Sequence, residues 1–289
     1  VRDDDGQPQL ALLGNATDLR EKRERNLGVR QTVCSLLSNA DTFVNEKLKF
    51  DEPEIEHGQQ DGRLRWRFVT AYAATKDSSW FNGVRYPVYG RDGTPRVPQL
   101  CVDFVYDAVN RMQDTWWREK GSVEPRNKAG FEIRDYARFR TVRNLIALAR
   151  EPSHVASIKS LPIEEHVPYK DREGFFANLQ RHKDEIREGD VIVIYGKRAD
   201  NLNHFHSFYV RETDPIHGFP TVITANPGFA RVQSWHDVMW ESPRRSIRHI
   251  VRWNPDWLVS PFAVDSADRV IEAAQAVSAA ASAPDQGEE

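Results

Sequence analysis

The chain has 289 residues, of which 39% are hydrophobic and 29% charged, a polar composition that still allows a substantial core. Its formal net charge of −3 argues against a protein that binds nucleic acid or anionic membranes over its whole surface. No stretch approaches the roughly 18 consecutive apolar residues of a membrane span. Two cysteines, Cys34 and Cys101, are too few for a disulfide framework or a cysteine zinc site, and a single disulfide between them stays open.

Apolar residues at helical spacing predict a first helix within 16–48, with Thr17 or Asp18 as its N-cap and Gly28 as a point of interruption. Cys34 lies on the apolar stripe of this helix and is interpreted as a core residue. A turn-rich linker follows, and the alternation in LRWRFVTAYAA predicts a strand. Residues 1–60 are therefore expected to form a helical segment and its linker, followed by a domain over 61–265.

A loop dense in glycine, proline and aromatic residues leads into PQLCVDFVYDAVNR, which predicts an amphipathic helix with Cys101 in its first turn. The unpaired N–H groups and the positive dipole end of a helix start favour a thiolate. The following segment, 117–185, contains two amphipathic helical patterns and is interpreted as an inserted helical subdomain.

Four strands are predicted from VIVIYGK, HFHSFYVRE, TVITAN and RRSIRHIVRW, with a short helix, SWHDVMW, capped by Ser234. Helices followed by consecutive strands indicate an α+β fold with an antiparallel sheet rather than alternating βαβ units. The Ala-rich composition of 266–289 predicts a disordered tail.

Two histidines begin the strand HFHSFYVRE. His204 and His206 are two residues apart and share a face of the strand, so both could face the cysteine helix. A cysteine nucleophile needs a base within roughly 3 Å, and His206, which borders the apolar SFYV, is preferred over His204. The pair could also bind a metal with Asp190 or Asp200, but no helical His-Glu motif supports this, and no metal or cofactor is expected.

Four stretches resemble papain-like bacterial cysteine hydrolases of the NlpC and CHAP types. LCVDFVYDAVNR is similar to their nucleophile helix, and REGDVIVIYGKRADNLNHFHSFYVRE to their Gly-Asp turn and histidine strand. TVITANPGFARVQSW resembles their third strand with the loop after it, and RYPVYG their entry loop. The resemblance covers about residues 80–255. The cysteine follows Leu100 and precedes Val102-Asp103, whereas the NlpC-type cysteine follows aspartate and precedes Ser-Gly.

The resemblance implies a papain-like fold in which the nucleophile helix packs on the antiparallel sheet. It assigns Cys101 as the nucleophile and His206 as the general base. Asn226 would orient the imidazole, and Thr224 is the alternative.

The oxyanion of such an enzyme would be bound in a cleft near Cys101, whose backbone N–H would be one donor. Tyr86 is the preferred side-chain partner in this cleft and Tyr89 the alternative. Gln99 is a further possible donor.

The expected function is that of a cysteine amidase or peptidase acting on peptidoglycan peptide or a related substrate, with no nucleic-acid partner and no membrane span. The alternatives are a non-catalytic binding or scaffold protein on the same fold and a papain-like acyl transferase. Three arginines, Arg134, Arg138 and Arg140, are predicted to bind substrate carboxylates. A periplasmic or extracellular location is expected, and a start at Val1 rather than Met is consistent with removal of a leader peptide.

Overall fold

The computed structural model describes residues 16–51, 63–122, 140–150, 155–198, 201–213, 220–225 and 228–259. Within these ranges seven α-helices and eight β-strands form a mixed α+β structure, as the sequence predicted. The helices are α1 (Ala16–Glu46), α2 (Leu64–Ala73), α3 (Cys101–Met112), α4 (Val142–Arg150), α5 (Arg172–His182), α6 (Trp235–Trp240) and α7 (Pro255–Val259). The strands are β1 (Ser78–Phe81), β2 (Val84–Pro87), β3 (Ala156–Ser160), β4 (Val191–Lys197), β5 (Asn203–Thr213), β6 (Pro220–Ala225), β7 (Ala230–Ser234) and β8 (Arg244–Trp253).

Six strands form one antiparallel sheet in the order β3-β8-β4-β5-β6-β7. The register pairs Val191 of β4 with Tyr209 of β5, and Ile194 with His206, without a break between them. Strands β1 and β2 form a separate hairpin. Its two turn residues, Asn82 and Gly83, both have positive φ, as a tight hairpin turn requires.

Helices cover both faces of the six-stranded sheet. Helices α1, α3, α4 and α7 pack on one face, which we call the α3 face, and α5 and α6 pack on the other, which we call the α5 face. The strand residues of the α3 face include Val191, Val193, Tyr209, Ile223 and Val251. Those of the α5 face include Ile192, Ile194, Phe208, Val222 and Ile250. A third apolar cluster joins α2 to the β1–β2 hairpin.

Several local predictions were wrong. The segment expected to alternate as a strand is helix α2, whose buried residues Leu64, Phe68 and Ala71 have helical spacing. The loop expected before the cysteine helix contains the β1–β2 hairpin, and the loop expected after β6 contains strand β7. No helix in the described ranges has the length and apolarity needed to cross a bilayer.

Two predictions about the α-helical parts also need correction. Cys34 is exposed on α1 rather than buried, and Gly28 lies within a continuous α1. The predicted insertion 117–185 contributes β3 to the sheet, where it pairs with β8, and α4 to the core of the α3 face. These parts therefore belong to the same sheet and core as α3, not to a separate helical subdomain.

Candidate functional site

Cys101 is the first residue of α3, as predicted, and α3 packs on the antiparallel sheet. Residues 101–110 of this helix are all buried. Cys101 is only 7% exposed and belongs to the apolar core of the α3 face. Cys101 and Cys34 are not joined by a disulfide, so the bond left open by the sequence is not formed.

The side chain of His206 points to the α5 face. Residues 191–197 and 203–209 are paired without a bulge, so side chains alternate strictly between the two faces. Tyr209 points to the α3 face, where its hydroxyl donates to the Val105 carbonyl over 2.8 Å. His206 lies three residues away and has the opposite orientation, with its ring centroid 5.7 Å from that of Phe208. The sheet thus directs the imidazole away from the face on which Cys101 packs.

His206 is held on the α5 face by Thr224. The Thr224 hydroxyl lies 3.2 Å from His206 Nε2, and both side chains are buried. Thr224 was the alternative orienting group, and Asn226, the preferred one, lies outside the described residues. His204 shares the α5 face, and its Nδ1 accepts from Arg245 over 3.1 Å. The expectation that both histidines face the cysteine helix is therefore wrong.

Other residues of β5 occupy the positions that face α3. Phe205 contacts Tyr195 in a tilted arrangement, with ring centroids 4.3 Å apart, and packs against the core of the α3 face. Ser207 is fully buried, and its hydroxyl has no hydrogen-bond partner. Burial raises the pKa of Tyr209. These three side chains offer no group that accepts a proton at neutral pH.

A buried network of charges surrounds the start of α3. Arg65 of α2 donates two hydrogen bonds of 2.7 Å to the two carboxylate oxygens of Asp107. Gln99 Nε2 donates to the same carboxylate over 2.7 Å. Asp103 accepts from the Leu100 backbone N–H over 2.8 Å and so caps the helix. The carboxylates of α3 are thus committed to internal partners.

Arg140 completes this network. Its Nε donates to Asp103 over 2.8 Å, and its guanidinium also bonds Asp51. Asp51 in turn accepts from the Leu64 backbone N–H over 2.8 Å, at the start of α2. Internal carboxylates bind Arg140 in this structure, so its predicted role in binding a substrate carboxylate stays a prediction. Arg134 and Arg138 lie outside the described residues.

Two of the predicted oxyanion donors, Tyr86 and Gln99, donate to other protein groups. Tyr86 is buried in the cluster that joins α2 to the hairpin, and its hydroxyl donates to the Arg96 carbonyl over 2.8 Å. Burial raises the pKa of this tyrosine. Tyr89 packs against Tyr72 at 5.9 Å between centroids. Gln99 bonds Asp107, and its amide oxygen is buried without a partner.

Sequence reasoning missed the charge network, although part of it was visible. Asp103 and Asp107 are four residues apart on a helix that is otherwise apolar, which indicates buried carboxylates in need of cations. Their partners come from 42 and 37 positions away along the chain, so the sequence did not identify them. No group of three or more metal-ligating side chains occurs in the described ranges.

No protein-family model, no curated protein and no solved structure matches this chain.

Proposed function

We propose that this protein is a non-catalytic binding or scaffold protein in which Cys101 is a residue of the core. The observation that carries the proposal is the register of β5, which directs His206 and His204 to the α5 face while Cys101 packs on the α3 face. A thiolate mechanism needs the base within roughly 3 Å of the sulfur in the working complex.

The surroundings of Cys101 support the same conclusion. Phe205 and Ser207 occupy the α3-facing positions of β5 on either side of His206, and neither side chain can act as a general base. A cysteine buried among apolar side chains acts as a small hydrophobe and is inert. The carboxylate of Asp103, two residues along the helix, already binds the Leu100 N–H at the helix start.

Thiol alkylation tests the proposal, with Cys34 as the internal control. Exposed Cys34 should react with iodoacetamide at the rate of an ordinary thiol. Buried Cys101 should react more than about 100-fold more slowly, because it becomes accessible only when the helix opens locally. Peptide mass spectrometry measures both rates in one sample, and the two cysteines should react equally in denaturant. A Cys101 that reacts faster than Cys34 at neutral pH would overturn the proposal.

A papain-like cysteine amidase or peptidase is the second candidate. Two observations favour it: Cys101 is the first residue of α3, and Thr224 holds His206 in one orientation. As such an enzyme, the protein would act outside the cytoplasm, and Cys101 would attack an amide bond of peptidoglycan peptide. The mechanism would require the His206 side chain to reach the α3 face. His206→Gln and Cys101→Ala should then both abolish amine release, and His206→Gln should also slow alkylation of Cys101. Equal alkylation rates with and without His206 count against it.

A further inference from the structure

A β-bulge in β8 brings two basic residues together at one end of the sheet. His249 is paired with Val193, a core residue of the α3 face, so the His249 side chain lies on that face. The register shifts at the next position, and Arg248 is the extra residue of the bulge. Its guanidinium lies 5.4 Å from the centroid of the Tyr195 ring and donates to His166 Nδ1.

Two arginines of α4 lie beside this pair. Arg143 and Arg150 are about two helical turns apart, so they lie on the same side of the helix, and both are exposed. The guanidinium of Arg143 is 6.0 Å from the centroid of the Phe205 ring. Arg150 is close enough to His249 to lower the pKa of its ring. Cations from α4 and from β8 therefore border the same part of the α3 face.

No carboxylate of the described ranges forms an ion pair with Arg143, Arg150 or Arg248. Two carboxylates near His166, those of Glu164 and Glu165, raise the pKa of its ring. Glu165 is already bonded to His182 over 2.8 Å. The cluster thus gathers positive charge that the described part of the protein does not neutralise.

This arrangement is costly in the absence of a ligand. Burial, followed by the charge of Arg248, lowers the pKa of His166. Burial, followed by Arg150, His166 and Arg248, lowers that of His249 to about 4. Each basic group opposes the charge of its neighbours, and a bound anion would remove this cost.

We propose that Arg248, Arg150 and His249 bind a phosphate dianion at this end of the sheet. Arginine presents a planar fork of donors that suits phosphate, and a phosphate group has enough oxygens to accept from several donors at once. A single carboxylate would neutralise less of the positive charge. The inference goes beyond the proposed function, because it names a ligand and does not involve Cys101.

His166 is a positioning residue in this site. Its Nδ1 accepts from Arg248, and its Nε2 donates to the Leu161 carbonyl over 3.0 Å. Both ring nitrogens are therefore occupied, and the imidazole orients the guanidinium rather than binding the phosphate itself.

Calorimetric titration of the full chain with inorganic phosphate at pH 7.5 and low salt tests the site. One phosphate should bind per chain, and Arg248→Gln should weaken binding about 10- to 100-fold, as expected for loss of a charge-assisted hydrogen bond. Arg172→Gln is the matched control. Arg172 also lies over a tyrosine ring, 3.9 Å from the centroid of Tyr169, and 3.3 Å from a histidine nitrogen of His236, but on the α5 face. It should bind phosphate as the wild type does.

The role of His166 is tested by rescue. His166→Ala should weaken phosphate binding about tenfold, because the Arg248 guanidinium loses the acceptor that orients it. His166→Asn keeps an acceptor near the position of Nδ1 and should restore binding to within about threefold of the wild type. Equal loss in both variants would overturn the positioning role.

Melting temperatures separate binding from folding. Phosphate at about 100 times its Kd should raise the melting temperature of the wild type by about 5–10 °C. Arg248→Gln should melt no lower than the wild type without phosphate, since it removes one of several mutually repelling cations, and should lose most of this rise. The rise that remains in the variant measures the general effect of phosphate as a salt.

The outcomes are distinct from those of the proposed function. Absence of phosphate binding up to about 10 mM, or binding that Arg248→Gln leaves unchanged, would overturn the site. Acetate that binds as tightly as phosphate would overturn the assignment in favour of a general anion site. A reactive Cys101 with intact phosphate binding would overturn only the non-catalytic proposal, and an inert Cys101 without phosphate binding would overturn only the phosphate site.

Discussion

The carboxylate of Asp103 is fully buried beside two guanidinium groups. Burial by itself would raise its pKa, but the charges of Arg140 and Arg65 outweigh burial and hold the pKa below its ordinary value. Because the folded pKa is below the unfolded one, Asp103 stabilises the protein above about pH 4 and loses this contribution as the pH falls further. A buried carboxylate with such partners is committed to internal ion pairs, and removing one of the partners would leave its charge uncompensated.

His249 of β8 should make the free energy of unfolding depend on pH. Burial, followed by the cationic neighbours Arg150, His166 and Arg248, lowers its pKa to about 4. The unfolded value is about 6.5, so the neutral ring stabilises the protein above that pH, and the contribution is lost as the pH falls from about 6.5 to 4. His249→Gln should therefore flatten the pH dependence of the free energy of unfolding in this window. Urea titrations at several pH values in this window measure the free energy of unfolding of both proteins. Parallel curves of this free energy against pH would contradict the prediction.

The orientation of His206 shows what sequence alone can settle for a single residue. Alternation along HFHSFYV is clear, but both sets of positions are apolar, with Phe205 and Tyr209 on one face and Phe208 on the other. A strand buried on both sides carries no signal that tells which face meets the helix. Cys101 at a helix start and His206 in an antiparallel strand were predicted correctly, whereas their relative orientation was not.

At the scale of elements, strands β4, β5, β6 and β8 were predictable because they are apolar runs bounded by turn residues. Helix α2 was not, because LRWRFVTAYAA fits both a period of two and a helical period. Its partners decide the outcome: Phe68 packs on Trp117 with centroids 5.1 Å apart, and Arg65 reaches Asp107. Both contacts join distant parts of the chain, so a local pattern does not reveal them.

Replacing glycine by alanine should have opposite effects on stability at Gly28 and at Gly196. Gly28 lies within helix α1, and an added Cβ meets nothing within 4 Å, so Gly28→Ala should stabilise the protein by about 0.5–1 kcal/mol. Gly196 in β4 has a φ of +152°, and a Cβ there would lie 2.4 Å from the Arg244 carbonyl oxygen. Gly196→Ala should destabilise it by at least about 2 kcal/mol. Chemical denaturation of both variants measures the difference, and equal midpoints would contradict it.

At the scale of the whole molecule, the charge network links the α2–hairpin cluster to the main core. Arg65 comes from α2, Asp107 from α3, and Asp51 from the segment after α1. Arg140, just before α4, bonds the carboxylates of Asp51 and Asp103. Four separate parts of the chain thus meet at the start of α3. We infer that this network serves to join the two apolar clusters.

This joining role predicts where the molecule opens when the network is broken. Arg65→Met leaves the charge of Asp107 buried without its bidentate partner and should cost about 3–5 kcal/mol of unfolding free energy. Hydrogen exchange should accelerate most in residues 64–87, while β4 and β5 change less, because the α2–hairpin cluster loses its main polar tie to α3. The double variant Arg65→Met/Asp107→Leu should recover part of the loss, since no charge is then left unpaired while the buried Gln99 Nε2 loses its acceptor. Arg231→Met is the control for removal of an arginine, because its exposed pair with Glu241 should contribute under about 1 kcal/mol. Uniform acceleration of exchange across the sheet and α2 would show that the network stabilises the whole molecule and does not join two parts.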